Sequence, residues 1–462
     1  MGRRKTHTPL NVLINNRLVG CLAKEASGAI LFQYDQSWLD WEPSFAISLS
    51  LPMRETAHTG APVTAVFDNL LPDSPDVRKR VAERVGAQGS DYYSLLESIG
   101  RDCVGAMQFL PDGEPFDTKP RVAGEPVGDD EIERILANLA QAPLGVEPDQ
   151  EFRISVAGAQ EKTALLFHKD QWMRPIGTTP TTHILKPQLG QIPTAFGTID
   201  MEASVDNEHY CLELMRALGL DVAKTEIITF GKRRVLVVER FDRLRRSGGQ
   251  LLRLPQEDFC QAMGTPSVRK YQNKGGPSIV DGLKLLRSAD EPLKDQAAFF
   301  KAQIVNWLIG ATDGHGKNFS IFLRPEGRYG LTPFYDVLSA QPALDQKQMP
   351  RNKFKLAMSV GKSRKYEIVN IVGRHFIETG KEAGLGKTIM RQVVSELLER
   401  AGKASEETVA KMPADFAGEI HESISAAMKA RLPLLESTFE KALASGRPAA
   451  TTSLRLPMGS AH

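Results

Sequence analysis

Hydrophobic and polar residues alternate in the first part of the chain, a pattern that is typical of strands. Residues 11–23 (NVLINNRLVGCLA) and 28–34 (GAILFQY) predict an antiparallel pair of strands, and residues 105–111 (GAMQFLP) predict a closing strand. Between them the period changes to that of a helix, for which Ser74 and Asp76 are candidate N-terminal caps. The N-terminal part therefore combines strands with helices.

The stretch that begins near residue 150 is again mixed. Residues 182–187 (THILKP) predict a short strand that ends at a proline, and residues 207–220 predict a helix. Residues 222–241 predict a hairpin that turns at a glycine. Residues 112–130 are rich in proline, glycine and aspartate, so they predict a linker before this second part.

Helical patterns dominate after about residue 250. The clearest lies in residues 293–310, where Gly310 is the predicted end of the helix. Four apolar residues of that stretch share one helical face: Phe300, Ile304, Trp307 and Leu308. The whole pattern predicts an α+β fold in which a β-rich N-terminal part precedes an all-α C-terminal lobe.

Composition narrows the class of protein. The 462 residues exceed one ordinary domain, and 41% hydrophobic with 25% charged residues is typical of a folded chain with a sizeable core. A net charge of +2 argues against general coating of nucleic acid but allows a local basic patch. The four cysteines are far apart, which argues against a zinc site or a disulfide framework. With neither a signal peptide nor a stretch of membrane-spanning length, we expect a cytoplasmic protein without membrane contact.

The candidate chemistry lies in residues 311–320 (ATDGHGKNFS). Protein kinases place a metal-binding Asn five positions after the catalytic Asp, and Asp313 and Asn318 have that spacing. Phosphoryl transfer also needs a lysine and a second metal carboxylate. Lys186 ends a predicted strand in the β-rich part, and Asp336 follows in PFYDVLS. The joint order of these residues indicates a kinase.

Each of these residues alone has a simpler interpretation. Asp-Gly-His is more often a turn, Asp336 is a plausible helix cap, and Lys186 is a plausible solvated lysine. A metal hydrolase is disfavoured because the histidines are not clustered. No glycine-rich kinase loop precedes Lys186, and SVAGAQEK with its single Gly158 is the weak candidate for a phosphate loop.

Several long motifs in fixed order resemble the HipA family, the serine/threonine-kinase toxins of bacterial type II toxin–antitoxin pairs, which are associated with persistence. The motifs are RISVAGAQEKTALL, PTTHILKP, VERFDR, LRLPQEDFCQ, WLIGATDGHGKNFS and LTPFYDVLSA, and FDNLLPD resembles the family's N-terminal subdomain. The resemblance covers about residues 8–440 and implies a two-lobed protein-kinase-like fold. We expect the N-terminal subdomain in 1–125, a kinase N-lobe-like region in 126–250, a helical lobe in 251–444 and a disordered tail in 445–462.

The resemblance also implies roles for individual residues, with ATP and Mg²⁺ as cofactors. Asp313 would be the catalytic base, Lys186 would bind the ATP phosphates, and Asn318 and Asp336 would hold magnesium and contact ATP. The phosphate loop would comprise Val156, Ala157, Gly158, Ala159, Gln160, Glu161 and Lys162. The hinge at the adenine would comprise Glu239, Arg240 and Phe241. The remaining ATP-binding residues would be His315, Gly316, Lys317 and Tyr335. Ser155 would be the serine on which the kinase phosphorylates itself.

The implied partners are a HipB-like helix-turn-helix antitoxin, operator DNA bound mainly through it, and a protein substrate. That substrate would be an aminoacyl-tRNA synthetase, specifically the glutamyl enzyme. Lys381 matches a weak DNA-contacting position, but Gly384 stands where the family pattern has arginine. Residues 361–365 (GKSRK) are a second basic stretch, for which a solvated face is the simpler interpretation. Two other interpretations stay open, a DNA-bound co-repressor with incidental kinase activity and a small-molecule phosphotransferase.

Overall fold

The computed structural model describes residues 7–116, 122–145, 155, 157, 158, 160–247 and 249–444. The predicted tail and two residues of the predicted phosphate loop, Val156 and Ala159, lie outside the described residues. Within the described part of the chain, no helix combines the length and the apolarity that a membrane crossing needs.

The N-terminal part is built on a five-stranded antiparallel sheet of order β4-β3-β2-β1-β5. Its strands are β1 (Leu10–Ile14), β2 (Arg17–Lys24), β3 (Ile30–Tyr34), β4 (His58–Thr59) and β5 (Met107–Pro111). Its helices are α1 (Gln36–Leu39), α2 (Ala61–Asp68), α3 (Pro75–Val85) and α4 (Tyr92–Ile99). The predictions for 28–34 and 105–111 are confirmed, but residues 11–23 form two strands, β1 and β2, because the chain turns at Asn15 and Asn16. Ser74 caps α3 by accepting a hydrogen bond from the Val77 amide at 3.4 Å, whereas Asp76 lies within the first turn.

A second antiparallel sheet of six strands follows, in the order β12-β13-β9-β7-β8-β6. Its strands are β6 (Gly124–Pro126), β7 (Thr163–His168), β8 (Gln171–Pro175), β9 (His183–Pro187), β12 (Thr225–Phe230) and β13 (Arg233–Glu239). The accompanying elements are α5 (Asp129–Ala137), the hairpin β10 (Gly190–Thr194) with β11 (Gly197–Met201), α6 (Ser204–Ala217) and β14 (Arg243–Arg245). The linker prediction for 112–130 is wrong at β6 and at the first residues of α5, and residues 117–121 of that stretch lie outside the described residues. β6 is the edge strand of the sheet and forms by pairing with β8, and its three residues are too few to show an alternating pattern.

The two faces of this sheet are covered by different helices. Alternate residues of β13 separate: Val235 and Val237 pack with the apolar side of α5, whereas Leu236 and Val238 pack with Val205 of α6. Successive side chains of a strand point to opposite faces, so the alternation decides which residues face α6. The candidate site lies on the α6 face.

The C-terminal part is mainly helical. Its helices are α7 (Phe259–Ala262), α8 (Ile279–Leu286), α9 (Pro292–Ile309), α10 (Gln341–Asp345), α11 (Gly373–Ala383), α12 (Lys387–Val409) and α13 (Gly418–Ala444). The lobe that the pattern predicts as all-α also contains short strands, namely β15 (Leu251–Arg253), β16 (Gln256–Asp258), β17 (Ser320–Leu323), β18 (Tyr329–Leu331), β19 (Lys355–Val360) and β20 (Lys365–Glu367). All of them except the six-residue β19 have only three or four residues, too few to give a periodic signal. β17 and β18 flank the loops that carry the site.

Helix α9 supports the motif loop. Every residue from Phe299 to Ile309 is buried, including Trp307 and Leu308 of the predicted apolar face. Gly310 ends the helix as predicted, with a φ of 72° that glycine adopts without strain. The chain therefore leaves a rigid core element directly before residue 311.

Candidate active site

A cavity of about 540 Å³ opens between the six-stranded sheet, the N-terminal part and the loops after α9 and β18. Most of the predicted site residues line it: Ala157, Gly158, Gln160, Lys162, Lys186, Glu239, Arg240, Phe241, Asp313, His315, Lys317, Asn318, Tyr335 and Asp336. Glu161, Gly316 and Ser155 are not among the lining residues, and neither is Lys381, an exposed residue of α11. The volume of the cavity is within the usual range for small-molecule and cofactor sites.

Lys186 is held between two carboxylates. In β9 it pairs with Leu236, so its side chain lies on the α6 face. Its Nζ donates to Glu208 Oε1 at 2.7 Å and to Asp336 Oδ1 at 2.8 Å. Burial alone would lower the pKa of Lys186, but Asp336 and Glu208 outweigh burial and raise it. The lysine therefore stays charged inside the cavity.

Glu208 is a site residue that the sequence interpretation missed. It lies on α6 one turn after Val205, which packs on the sheet, so it projects toward the same face. Burial raises its pKa, although Lys186 opposes that shift. A lysine on a strand paired with a helical glutamate is a pairing found in protein kinases, and this rule applied to the predicted helix 207–220 could have found it.

Asp336 follows β18 in a left-handed backbone conformation, with a φ of 59°. The Tyr335 hydroxyl fixes the loop by donating to Lys317 O at 2.9 Å and by pairing with Ser320 Oγ at 2.6 Å. Burial would raise the pKa of Asp336, but Lys186 and Lys162 outweigh it and hold the pKa well below its usual range. Such strained, ionised residues concentrate at functional sites.

The motif loop presents Asp313 to solvent. The His315 amide donates to Asp313 O at 2.7 Å, and Asn318 Nδ2 donates to the same oxygen at 2.9 Å. The Asp313 side chain is 61% exposed, whereas the His315 side chain is almost fully buried. Burial lowers the pKa of His315 and favours the neutral ring. The loop thus fixes its backbone while the carboxylate remains accessible to another molecule.

Lys317 connects the motif loop to the N-terminal part. Its buried Nζ donates to Asn69 O at 2.8 Å and to Asn69 Oδ1 at 2.9 Å, and it lies 3.3 Å from Asp73 Oδ1. Asn69 and Asp73 also line the cavity. They belong to FDNLLPD, a motif to which the sequence interpretation gave no role in the site. Lys317 therefore lies at the cavity wall with its ammonium group already bound by residues of the N-terminal part.

The described residues of the predicted phosphate loop lie against the same N-terminal segment. The Asp73 amide donates to Gly158 O at 3.2 Å. Gly158 has a φ of 114°, a backbone conformation that residues with a side chain rarely adopt, and a Cβ there would also displace Lys162 Nζ. Lys162 Nζ donates to Ala157 O at 2.8 Å. Burial and the charge of Lys186 lower the pKa of Lys162 to about 8.

Ser155 is fully buried at the start of this loop. Its hydroxyl donates to Leu70 O at 2.7 Å, and its amide donates to Asp102 O at 2.9 Å. Both acceptors belong to the N-terminal part. The loop is therefore packed inward at this serine.

The predicted hinge lines the cavity, but its three side chains differ in direction. Phe241 packs near Tyr335 with ring centroids 5.7 Å apart. Glu239 pairs with Lys224 at 3.4 Å. The Arg240 guanidinium points away into a buried cluster, where it contacts Asp102 and Asp242.

The donor set suits magnesium bound together with phosphate. Magnesium in such sites takes one or two protein oxygens and completes its shell with water and phosphate oxygens. Asn318 Nδ2 lies 3.5 Å from the backbone oxygen of Asp336, and both residues line the cavity. The bonds to Asp313 O and Asp336 O use the amide nitrogen of Asn318 and leave its oxygen for a cation. Among the described residues, no group of three His, Cys, Asp or Glu side chains offers an all-protein metal site.

These features define a kinase-like α+β fold. An antiparallel sheet carries Lys186, the covering helix α6 supplies Glu208, and a helical lobe carries the two polar loops of the site. The HipA-like C-terminal domain model matches residues 154–405, and the HipA N-terminal domain model matches residues 10–110. The chain belongs to the HipA family.

Two relatives illustrate the match. Y4mE of Sinorhizobium fredii, provisionally named as a kinase, is 35% identical over 401 residues, which are 86% of this chain and 90% of that protein. The serine/threonine-protein kinase toxin HipA of Shewanella oneidensis is 26% identical over 426 residues, 89% of this chain and 92% of that protein.

A solved structure of the Shewanella oneidensis toxin–antitoxin system, HipA and HipB with operator DNA, has a similar fold. The TM-score is 0.76 at 24% identity, with 93% of this chain and 99% of that chain covered. The predicted fold class and family are both confirmed.

Proposed function

We propose that this protein is an ATP- and magnesium-dependent serine/threonine protein kinase that acts as the toxin of a type II toxin–antitoxin pair. One observation carries the proposal: Lys186 is held by Glu208 and Asp336 at the wall of a cavity that Asp313 and Asn318 also line. Phosphoryl transfer depends mainly on positioning and electrostatic stabilisation, and this arrangement supplies charged groups fixed before any ligand binds.

Each residue has a separate task in the proposed reaction. Asp313 accepts the proton of the acceptor hydroxyl, because its carboxylate is exposed at the cavity. Lys186 and Lys162 bind phosphate oxygens, and Gly158 lets the backbone approach them closely. Asn318 and Asp336 hold magnesium, which neutralises phosphate charge when bound. The backbone of the hinge residues Glu239, Arg240 and Phe241 faces the adenine of ATP, since the Arg240 side chain is bound to Asp102 and Asp242.

Self-phosphorylation of Ser155 is the second part of the proposal. Its hydroxyl is buried against Leu70 O, where a phosphate with nearly two negative charges has neither space nor a cationic partner among the contacts of that hydroxyl. The loop must leave its packed position once Ser155 is modified, and Gly158 and Lys162 leave with it. ATP binding is then lost.

The proposed partners are a HipB-like antitoxin and, through it, operator DNA. The support is the fold shared with a HipA that was solved with HipB and operator DNA. A near-neutral net charge leaves most of the DNA affinity to the antitoxin, with Lys381 adding at most a weak contact. The proposed acceptor is an aminoacyl-tRNA synthetase, specifically the glutamyl enzyme. The protein is proposed to act in the cytoplasm.

The test is incubation with γ-labelled ATP, magnesium and a bacterial lysate, followed by identification of the labelled residue. We expect label on serine or threonine, and a fall of about 10²–10⁴-fold in the Asp313→Asn variant, which keeps the shape but removes the base. The matched control is Asp170→Asn, at an exposed turn position with a φ of 59° that asparagine also tolerates. Equal labelling by wild type and Asp313→Asn contradicts the assignment. Tight operator binding without any partner would favour the co-repressor.

A further inference from the structure

Tyr271 contacts the carboxylate that the proposed function uses as a base. Its hydroxyl donates to Asp313 Oδ1 at 2.6 Å. The other oxygen, Oδ2, lies 3.9 Å from His315 Nε2, which is beyond hydrogen-bond distance. An exposed aspartate on a loop would otherwise sample several rotamers, so this bond selects one orientation of the carboxylate.

Tyr271 is itself anchored by its ring and by the residues beside it. The ring packs edge-on against His315 with centroids 4.9 Å apart. The ammonium groups of Lys270 and Lys274 lie 5.6 and 5.8 Å from the ring centroid. These contacts hold the ring in place beside the motif loop.

The backbone that carries Tyr271 is joined to three other parts of the molecule. Lys270 O accepts a hydrogen bond from the Gly316 amide at 3.2 Å, and Lys270 Nζ donates to Asp73 Oδ2 at 2.7 Å. On the other side, Gln272 Oε1 accepts from the Ser359 amide of β19 at 2.7 Å. Tyr271 therefore keeps its position relative to the motif loop, the N-terminal part and the C-terminal lobe.

We propose that Tyr271 is a positioning residue: it occupies Oδ1 of Asp313 so that Oδ2 faces the hydroxyl of the acceptor. This inference rests on the proposed kinase function and adds a residue that acts through the base. Burial and the Asp313 charge raise the pKa of Tyr271, so the phenol remains a donor at neutral pH. The competing arrangement is a block, in which the phenol occupies the place of the acceptor hydroxyl.

The discriminating variant is Tyr271→Phe, which removes one oxygen and keeps the ring against His315. Its matched control is Tyr329→Phe, which removes the same atom from a bond to Leu285 O, 2.7 Å long, in the helical lobe. We expect Tyr271→Phe to lower the rate of label transfer from ATP to lysate proteins about tenfold, since a hydrogen bond to a charged group is being lost. The Kd for magnesium-ATP stays unchanged by calorimetry. Tyr329→Phe leaves both quantities at wild-type values.

A double-variant cycle shows whether Tyr271 acts through Asp313. In the Asp313→Asn background, Tyr271→Phe should change the residual rate by less than twofold, because the group that it positions is already gone. A further tenfold loss in that background overturns the proposal, as does a wild-type rate in Tyr271→Phe alone. A faster rate in Tyr271→Phe identifies a block and also overturns it. A wild-type protein that labels no acceptor overturns the proposed function and this inference together.

Discussion

Two groups of buried charges differ in the exposure of their side chains, and the first of them includes Arg240 of the predicted hinge. The arginine cluster consists of Asp102, Arg240, Asp242, Arg243 and Arg253. The pocket cluster consists of Lys162, Lys186, Glu208 and Asp336. The Asp102 side chain is 3% exposed, whereas that of Asp336 is 31% exposed to the cavity.

The arginine cluster is closed. Asp102 contacts three guanidiniums at 2.9–3.2 Å, and remaining donors go to backbone oxygens such as those of Cys103 and Gly105. Burial would raise the pKa of Asp102, but the arginines outweigh it and lower it strongly. Shifted pKa values therefore mark both clusters, so a shifted pKa alone does not identify a candidate site. The pocket cluster differs because its Asp336 carboxylate is partly exposed to the cavity, whereas the charged groups of the arginine cluster are used by one another and by the backbone.

The largest effect should come from breaking the closed cluster. Asp102→Asn removes the charge that three buried guanidiniums share, which costs about 3–5 kcal/mol of the free energy of unfolding. Urea denaturation followed by circular dichroism measures the loss. Asp170→Asn, at an exposed turn, should change stability by less than about 0.5 kcal/mol. A loss below 1 kcal/mol in Asp102→Asn would show that the cluster is not the structural element described above.

The same kind of deletion in the open cluster should affect binding more than folding. Asp336→Ala removes the carboxylate of the proposed metal pair and leaves Lys186 with Glu208. We expect magnesium-ATP affinity to fall at least about 100-fold, because Asn318 alone offers a neutral oxygen to a hard cation. Calorimetric titration checks this. Unchanged affinity contradicts the assigned role.

Ser155 connects the two clusters, because its amide bonds Asp102 O and its loop carries Lys162. Ser155→Asp places an unpaired charge in a buried position and should displace the loop, weakening ATP binding by more than about tenfold. Ser155→Ala removes only the bond to Leu70 O and should bind ATP within about threefold of wild type. If the two variants bind equally and phosphate is never found on Ser155, the serine is a turn residue.

The smallest effect concerns pH. The pKa of Lys162 is lowered to about 8, so the lysine is charged at pH 7 and becomes neutral as pH rises through that value. A neutral amine binds phosphate less well, and ATP affinity should be about tenfold weaker at pH 9.5 than at pH 7. Lys162→Arg stays charged across this range and should remove the dependence. A wild-type affinity that is flat between those pH values counts against Lys162 as a phosphate ligand.

Two kinds of feature could be predicted from the sequence: helices and strands with a clear hydrophobic periodicity, and loops that contain long motifs. The hairpin β12–β13, the buried helix α9 and its end at Gly310 follow from alternation, helical spacing and one glycine. The spacing of Asp313 and Asn318 within one loop is local, so it is readable without a structure. Strand β6 was missed because its pairing, and not its own pattern, creates it.

Contacts between distant parts of the chain could not be predicted from periodicity. Lys186 and Asp336 are 150 positions apart, and Lys317 and Asn69 are 248 apart. The direction of the Arg240 side chain likewise depends on Asp102, which lies between α4 and β5 in the N-terminal part. Nothing in the residues around Tyr271 shows that its hydroxyl reaches Asp313, since that bond depends on how two loops pack.

The side-chain contacts of Lys317 with Asn69 and Asp73 have a consequence for how this chain changes over evolution. The two family models cover separate parts of the chain, residues 10–110 and 154–405, but the candidate site includes residues of both. Asn69 and Asp73, which precede residue 110, form part of the cavity wall. A chimera that joins the N-terminal part of one relative to the C-terminal part of another must keep these pairs matched. We therefore expect the two parts to evolve together, so that substitutions at Asn69 and Asp73 are accompanied by substitutions at Lys317.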